Sequence, residues 1–379
     1  MKVTVHDSIA GIAANDWNQL AGTAYPFLRH EFLNLAEQTH CVAPAQGWTP
    51  RHLSIGKKGD LRAAMPLYEK SHSWGEFVFD WAWARAYEQA GFRYYPKLVS
   101  AVPFTPAPSR RLLLADPDDT EAAHALIAAA IALAGESECS SFHILFPTAD
   151  EIPLLESAGL LIRKDCQFHW HNRGYEKFDD FLATFTAAKR KKAKRDRRRA
   201  EENGIRFRRL KGNEMDDSAW SVVYALISRT FMQRGSLPYF NDAFFKSISE
   251  QLPENILVVL AEKESNPVAA AVFFESDRVL YGRYWGSDGH YDALHFETCY
   301  YQGIDYCIDT GKQVFEPGTQ GEHKISRGFS PEPTWSAHWL AHPEFADAIG
   351  KYLDEEARHI DRYMDAVDSR SPYKTTDEQ

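Results

Sequence analysis

Apolar and polar positions along this chain follow two periods, and the places where one gives way to the other predict its elements. Near the N-terminus, Phe27-Leu28-Arg29-His30-Glu31-Phe32-Leu33 spaces its apolar residues as a helix does, and Ala14-Asn15-Asp16-Trp17 reads as a capped helix start. Strand-like runs follow at Arg51–Ile55, Leu61–Tyr68 and Phe77–Trp83, separated by the turn sequences Gly-Lys-Lys-Gly-Asp and Ser-His-Ser-Trp-Gly. Tyr94–Phe104 reads as extended, because Pro96 and Pro103 lack the amide hydrogen a helix needs. An Ala-rich helix is predicted over Asp119–Ala134, then a strand at Ser141–Phe146, a short helix at Ile152–Ser157 and a strand at Leu160–His169.

The second half repeats this order. Strands are predicted at Ile256–Glu262, Val268–Glu275 and Val279–Trp285, a helix at Ala293–Thr310 and a strand at Gln313–Glu316. A turn at Ile325–Phe329 then leads to a closing strand near Thr334–Leu340. The shared strand-strand-strand-helix-strand pattern implies an internal duplication. The predicted organisation is an N-terminal lobe over 1–165, a linking strand and basic helical segment over 166–211, a C-terminal lobe over 212–369 and a disordered tail over 370–379. The linking segment begins amphipathic (Phe178, Phe181, Leu182, Phe185) and is predicted as a helix or helical pair from about Lys177 to Asn203, stopped by Gly204.

Composition narrows the class. A chain of 379 residues with 44% hydrophobic and 25% charged content suits two globular domains. The five cysteines are scattered and form no CxxC pair, so neither a disulfide framework nor a zinc ribbon is indicated, and reduced thiols in a cytoplasmic protein are expected. No apolar signal region opens the sequence. The longest uncharged apolar run, Ala125–Ala134, is far short of the ~20 residues that a membrane span needs, so none is expected.

Charge is concentrated in one place. Between Lys189 and Lys211 stand thirteen Lys or Arg against three acids, a balance of +10 in a chain whose net charge is −10, so the remainder carries −20. One basic block on an acidic protein points to one anionic partner rather than to general attraction for nucleic acid. Its charges fall on every helical face and are scarcely interleaved with acids for i,i+4 pairing. Guanidinium forks and ammonium groups suit phosphate, so Lys189, Lys191, Lys192, Arg195 and Arg198 are candidates for a phosphate-bearing donor: a nucleotide-linked substrate, coenzyme A or tRNA backbone. The bland reading is a charged surface or a brace.

The second motif runs from Phe315 to Phe329, a glycine-punctuated loop after a strand. Glu316 and His323 are candidates for proton transfer, and Gln320, Lys324 and Arg327 for binding, against the bland reading of a charged surface loop. The Glu316–His323 spacing matches no standard metal-ligand pair, and no metal is expected. The third is Tyr281–His290, a strand end leading into a helix, with Tyr284 and Trp285 as binding candidates. Glu297 heads an apolar stripe of that helix with Tyr301, and is either a perturbed catalytic acid or a first-turn surface carboxylate. Arg234 sits in a loop after a helix that can cover the cleft. The cluster Asp80–Trp83 with Tyr94–Lys97 reads as lobe packing or as a substrate wall.

Together these residues carry a resemblance. Arg29–Leu33, Gly47–His52, Tyr94–Lys97, Gln167–Trp170, Lys189–Arg199, His295–Glu297, Cys299–Gly303 and Gln320–Lys324 resemble the FemAB-like family of predicted N-acyltransferases, over about Phe27 to Phe345. The resemblance implies an α/β fold of two tandem GNAT-like lobes, each a mixed sheet flanked by helices. It also implies kinship with the Fem aminoacyltransferases, which load amino acids from aminoacyl-tRNA onto a muropeptide lysine. Two departures stand out: the Gln/Arg-x-x-Gly-x-Gly/Ala signature of acetyl-CoA binding is absent before Ala293, and a single basic stretch replaces a long helical hairpin.

The expected function is therefore transfer of an acyl or aminoacyl group to an amine, within a cell-wall precursor. No cofactor is held tightly; acyl-CoA or aminoacyl-tRNA serves as co-substrate. The alternative is a non-catalytic module of the same fold that recognises a phosphate-bearing or muropeptide ligand, and a third reading is nucleic-acid binding through the basic helix.

Overall fold

The computed structural model describes residues 1–319 and 321–374. Packing divides the chain into two compact units: Met1–Cys166 with Pro333–Arg362, and Gln167–Glu332 with Tyr363 onward. The closing strand, predicted near Thr334–Leu340 within the C-terminal lobe, falls instead in the first unit, and the long helix Pro343–Asp368 begins there too. The basic helix, expected in a linking segment, is part of the second unit.

In the first unit the antiparallel strands His52–Lys57 and Asp60–Met65 pair with each other, with Val3–His6 and with Leu113–Leu114. A second sheet pairs Trp48–Pro50, Tyr68–Lys70, Lys97–Ser100, Ser141–Leu145 and the later part of Ser330–Leu340 in that order. Lys97–Ser100 and Ser141–Leu145 run parallel, and the helix Thr120–Glu136 lies between them in the chain. Its small residues explain the packing: Ala122, Ala123, Ala130 and Ala134 are buried in one core with Leu53, Met65, Leu98 and Phe142. Phe77–Trp83, expected as a strand, is a loop followed by the helix Trp81–Gln89. Trp83 and Tyr87, four residues apart, are its buried side chains, and Trp81 is exposed, so the buried face follows helical and not strand spacing.

In the second unit Ile205–Lys211, Ile256–Lys263, Asn266–Glu275 and Val279–Ser287 form an antiparallel meander. Val314–Glu316 then joins parallel to Val279–Tyr281 after the helical stretch Leu294–Thr310. Each unit therefore holds one parallel strand pair with a helix between its strands in the chain, the structural form of the duplication read from the sequence. The expected helical pair is Phe178–Ala183 and Ala187–Glu202.

The tail departs from expectation. Residues 370–374 are ordered: Thr186 donates its amide to Pro372 O, Lys374 donates to Thr184 O, and the Tyr373 hydroxyl donates to Gly328 O at 2.7 Å. An aromatic ring seated against Phe185 (centroids 5.4 Å apart) gives this polar segment an anchor. Residues 375–379 of the predicted tail lie outside the described residues.

Candidate functional site

The basic helix Ala187–Glu202 turns Ala193, Asp196 and Ala200 inward, which sets the direction of its charges. Lys189, Lys192, Arg195 and Arg199 then line an open cleft of about 610 Å³, whose opposite wall is the turn Glu322–Arg327. The two motifs singled out by sequence thus line one cleft within the second unit.

Other charges of the block go elsewhere. Lys191 and Arg198 are not among the residues lining this cleft; Arg198 pairs with Glu202 on its own helix at 3.2 Å. Lys194 pairs with Asp179 at 2.8 Å. Arg197 points inward to Glu297 and Asp305, at 3.2 and 3.1 Å.

That inward contact bears on Glu297. The helical stretch Leu294–Thr310 widens into a π-helical turn at Glu297–Tyr301, and Glu297 is buried there. Its Oε1 accepts from Gln302 at 2.8 Å and from Arg197. Burial raises its pKa while Arg197 opposes the rise. The solvent-facing first-turn reading of Glu297 is thereby corrected: Arg197 and Gln302 hold the carboxylate inside. Tyr301 is buried against Phe178, and Tyr284 against Phe245, with ring centroids 5.9 and 5.2 Å apart, so both pack the core.

The turn Glu322–Arg327 works on two sides. His323 faces the cleft, shares a hydrogen bond with the Tyr300 hydroxyl at 2.9 Å, and is held below the usual histidine range by burial and by Arg327. Arg327 also lines the cleft, donates to His323 O at 2.6 Å, and stacks on Phe296 with its guanidinium carbon 3.3 Å from the ring centroid. Lys324, the next residue after His323, is buried and donates to Gly318 O at 2.5 Å. Burial, with Arg283 nearby, pushes its ammonium down to about 7.

Glu316 ends the strand Val314–Glu316, opposite Tyr281 on the parallel neighbour. That neighbour continues to Ser287 after its partner has stopped, so Glu316 stands where the two strands part. The carboxylate is 8% exposed, lies 4.0 Å from Arg283, and leaves Oε2 buried without a hydrogen-bond partner among the described residues. Burial pushes it up to about 7 against the pull of Arg283.

Trp285 packs its ring against His295 at 5.2 Å. Burial lowers His295 to about 4, helped by His323, Arg327 and the exposed Arg234, so Arg234 adds to the same positive field. Gln320 lies outside the described residues. Sequence reasoning missed Arg283, Arg199, Tyr300 and Arg370. The signal for Arg283 was a lone arginine after Gly282 in an otherwise apolar strand; Arg370 comes from the distant C-terminal segment and gave none. Among the described residues, no group of three or more His, Cys, Asp or Glu side chains gathers as a metal site. No helix among them is long and apolar enough to cross a membrane.

A family model described as FemAB-like, peptidoglycan biosynthesis/recognition, matches residues 8–375. No curated protein matches the chain. Among solved structures, the chain is similar to FemX at 12% identity, with a TM-score of 0.55 over 92% of this chain and 100% of that one. It is also similar to the C-terminal domain of a protein named as a lysylphosphatidylglycerol synthetase from Agrobacterium fabrum, at 9% identity and a TM-score of 0.53, over 89% and 96% of the two chains. A Bacteroides thetaiotaomicron protein of unknown function gives 9% identity and a TM-score of 0.52 over 89% and 99%. At such identities these likenesses show the fold, which is the expected α/β class of mixed sheets flanked by helices.

Proposed function

The chain belongs to the FemAB-like family, and from that premise we propose that it is a transferase moving an acyl or aminoacyl group from an activated donor to an amine of a cell-wall precursor. The donor is an acyl-CoA or an aminoacyl-tRNA, used as co-substrate. Its phosphates lie in the cleft against Lys189, Lys192, Arg195 and Arg327. The acceptor's amine attacks the acyl carbon, a C–N bond forms, and the donor's thioester or ester bond breaks. The ammonium proton passes to a carboxylate, and no metal is needed for these steps.

The observation that supports this reading is Glu316. It is a carboxylate with a free oxygen at a strand end, beside Arg283 and close to half ionised at neutral pH. A general base works best with a pKa near the working pH. His323, in the cleft wall, is then positioned by Tyr300 to bind the donor or stabilise developing charge.

Glu316→Gln keeps the shape and removes the base. Turnover from acetyl-CoA, longer acyl-CoAs or aminoacyl-tRNA to a lysine-bearing muropeptide is expected to fall ~10²-fold or more. The wild-type rate is expected to lose its acid limb near pH 7 in this variant. Full activity in the variant would remove Glu316 from the chemistry. The missing acetyl-CoA signature before Ala293 favours the second reading, a binding module. That reading predicts thermal stabilisation by one of these ligands with no turnover.

A further inference from the structure

The first unit holds a second cluster of buried charge, away from the site just described. Strand register places Trp48 beside Lys70 and Lys70 beside Lys97, on one face of the sheet. Both lysines are 0% exposed. Like charges side by side across strands repel, and more strongly where water is absent, so the fold has to bring anions to them.

Those anions come from the loop between Lys70 and the helix Trp81–Gln89. Glu76 accepts from Lys97 Nζ at 2.8 Å, Asp80 also accepts from it, and Ser73 Oγ lies 2.9 Å away. Lys70 receives no carboxylate: its Nζ donates to Trp74 O at 3.2 Å and lies 3.7 Å from the Trp48 ring centroid. Glu76 Oε1 and Asp80 Oδ1 are meanwhile buried without a hydrogen-bond partner among the described residues. Here both acids crowd one lysine, the other has a carbonyl and an aromatic face, and two carboxylate oxygens are orphaned.

We propose that Lys70 and Lys97 form a ligand subsite for a compact phosphate or diphosphate group, and that the loop from Ser71 to Asp80 closes it with its own carboxylates. The oxygens of such a group span adjacent ammonium groups, which one carboxylate entering from the side does not. The closed loop carries signs of a second position. Phe77 is held at φ +62°, a left-handed conformation costly for a bulky residue, and Trp74 is 63% exposed at the tip. Burial pushes Lys70 down to about 7 and Glu76 up to about 7, so the closed cluster sheds charge that a bound dianion restores to Lys70. This inference is independent of the acyl-transfer reading.

Hydrogen–deuterium exchange on the full chain reads the loop directly and separates it from phosphate binding in the second unit. Inorganic pyrophosphate is expected to speed exchange of the amides between Ser71 and Asp80. Glu76→Gln, which weakens the latch, is expected to lower the half-saturating concentration about tenfold. Lys70→Gln keeps a donor for Trp74 O, and is expected to abolish the response without moving the melting temperature. Unchanged exchange in both the wild type and Glu76→Gln up to about 10 mM pyrophosphate, where a millimolar site is filled, overturns the proposal. So does a response that survives Lys70→Gln. A response to glutarate and none to pyrophosphate overturns the phosphate assignment.

Discussion

At the scale of single residues, the same chemical group serves different ends according to what surrounds it. Glu297 and Glu316 are both buried, and burial raises both. Glu297 has Arg197 and Gln302 on one oxygen, whereas Glu316 has a cation no nearer than 4.0 Å. Each leaves its second carboxylate oxygen buried without a hydrogen-bond partner among the described residues, but only the first is held in a close ion pair. Breaking a buried pair from one side leaves a charge uncompensated, so Arg197→Ala is expected to destabilise the second unit by about 3–5 kcal/mol. Glu297→Gln added to it is expected to restore much of that loss, and Glu297→Gln alone to leave turnover within a few-fold of wild type. Urea unfolding of the single and double variants, with an acyl-transfer assay, checks both. A ~10²-fold loss of turnover in stable Glu297→Gln would return the base role to that residue.

At the scale of elements, the basic helix shows how a buried face sorts charges that the linear sequence leaves equivalent. Ala193, Asp196 and Ala200 fix the rotation, and only then do Lys189, Lys192, Arg195 and Arg199 look into the cleft. Each phosphate contact releases a counterion, so log affinity falls with log salt in proportion to the contacts made. Lys192→Glu with Arg195→Glu is expected to weaken the phosphate-bearing donor strongly and to reduce the salt slope by about 2. Lys191→Glu with Arg198→Glu, the same charge change outside the cleft lining, is expected to leave the slope nearly unchanged. Equal losses from the two pairs, by titration at several salt concentrations, would show that only net charge matters.

At the scale of the molecule, buried imidazoles set the acid limb of stability. His169 is driven down to about 3 by burial and His295 to about 4, so both are neutral in the folded state. A depressed histidine contributes stability that is full above its unfolded value near 6.5 and is lost as pH falls below it. The loss is about 1.4 kcal/mol per pH unit per group. Glu316, raised to about 7, acts in the opposite sense, being most stabilising below about 4.5 and least above 7. Glu76, also raised to about 7, acts with it. The buried His143 and His338, likewise held well below the usual range, act with the two histidines, so between pH 6.5 and 4.5 the imidazoles outweigh the carboxyls. His169→Gln is accordingly expected to flatten the fall in stability over this window by about 1.4 kcal/mol per pH unit, measured by urea unfolding at pH 7, 6 and 5. An unchanged slope would mean that His169 is already charged in the fold.

The sequence by itself determined the order of elements wherever periodicity ran long enough, as in the Ala-rich helix at Thr120–Glu136 and the meander from Ile256 to Ser287. It determined the strand-helix-strand succession in each half and singled out the two motifs that meet in the cleft, while the parallel pairing of those strands came from the fold. It misread Phe77–Trp83 because alternation over so few residues satisfies a strand and a helix equally well. Tertiary structure decided which charges of the basic block face the cleft, because helix rotation is set by what lies beneath it. It gave Glu297 to Arg197, left Glu316 free and brought Arg370 to the cleft wall. In the first unit it set Lys70 against Lys97, since two lysines 27 positions apart become neighbours only through strand register. Local pattern is written in nearest neighbours along the chain. Ionisation depends on burial and on charges from distant segments, and these exist only once the chain has folded.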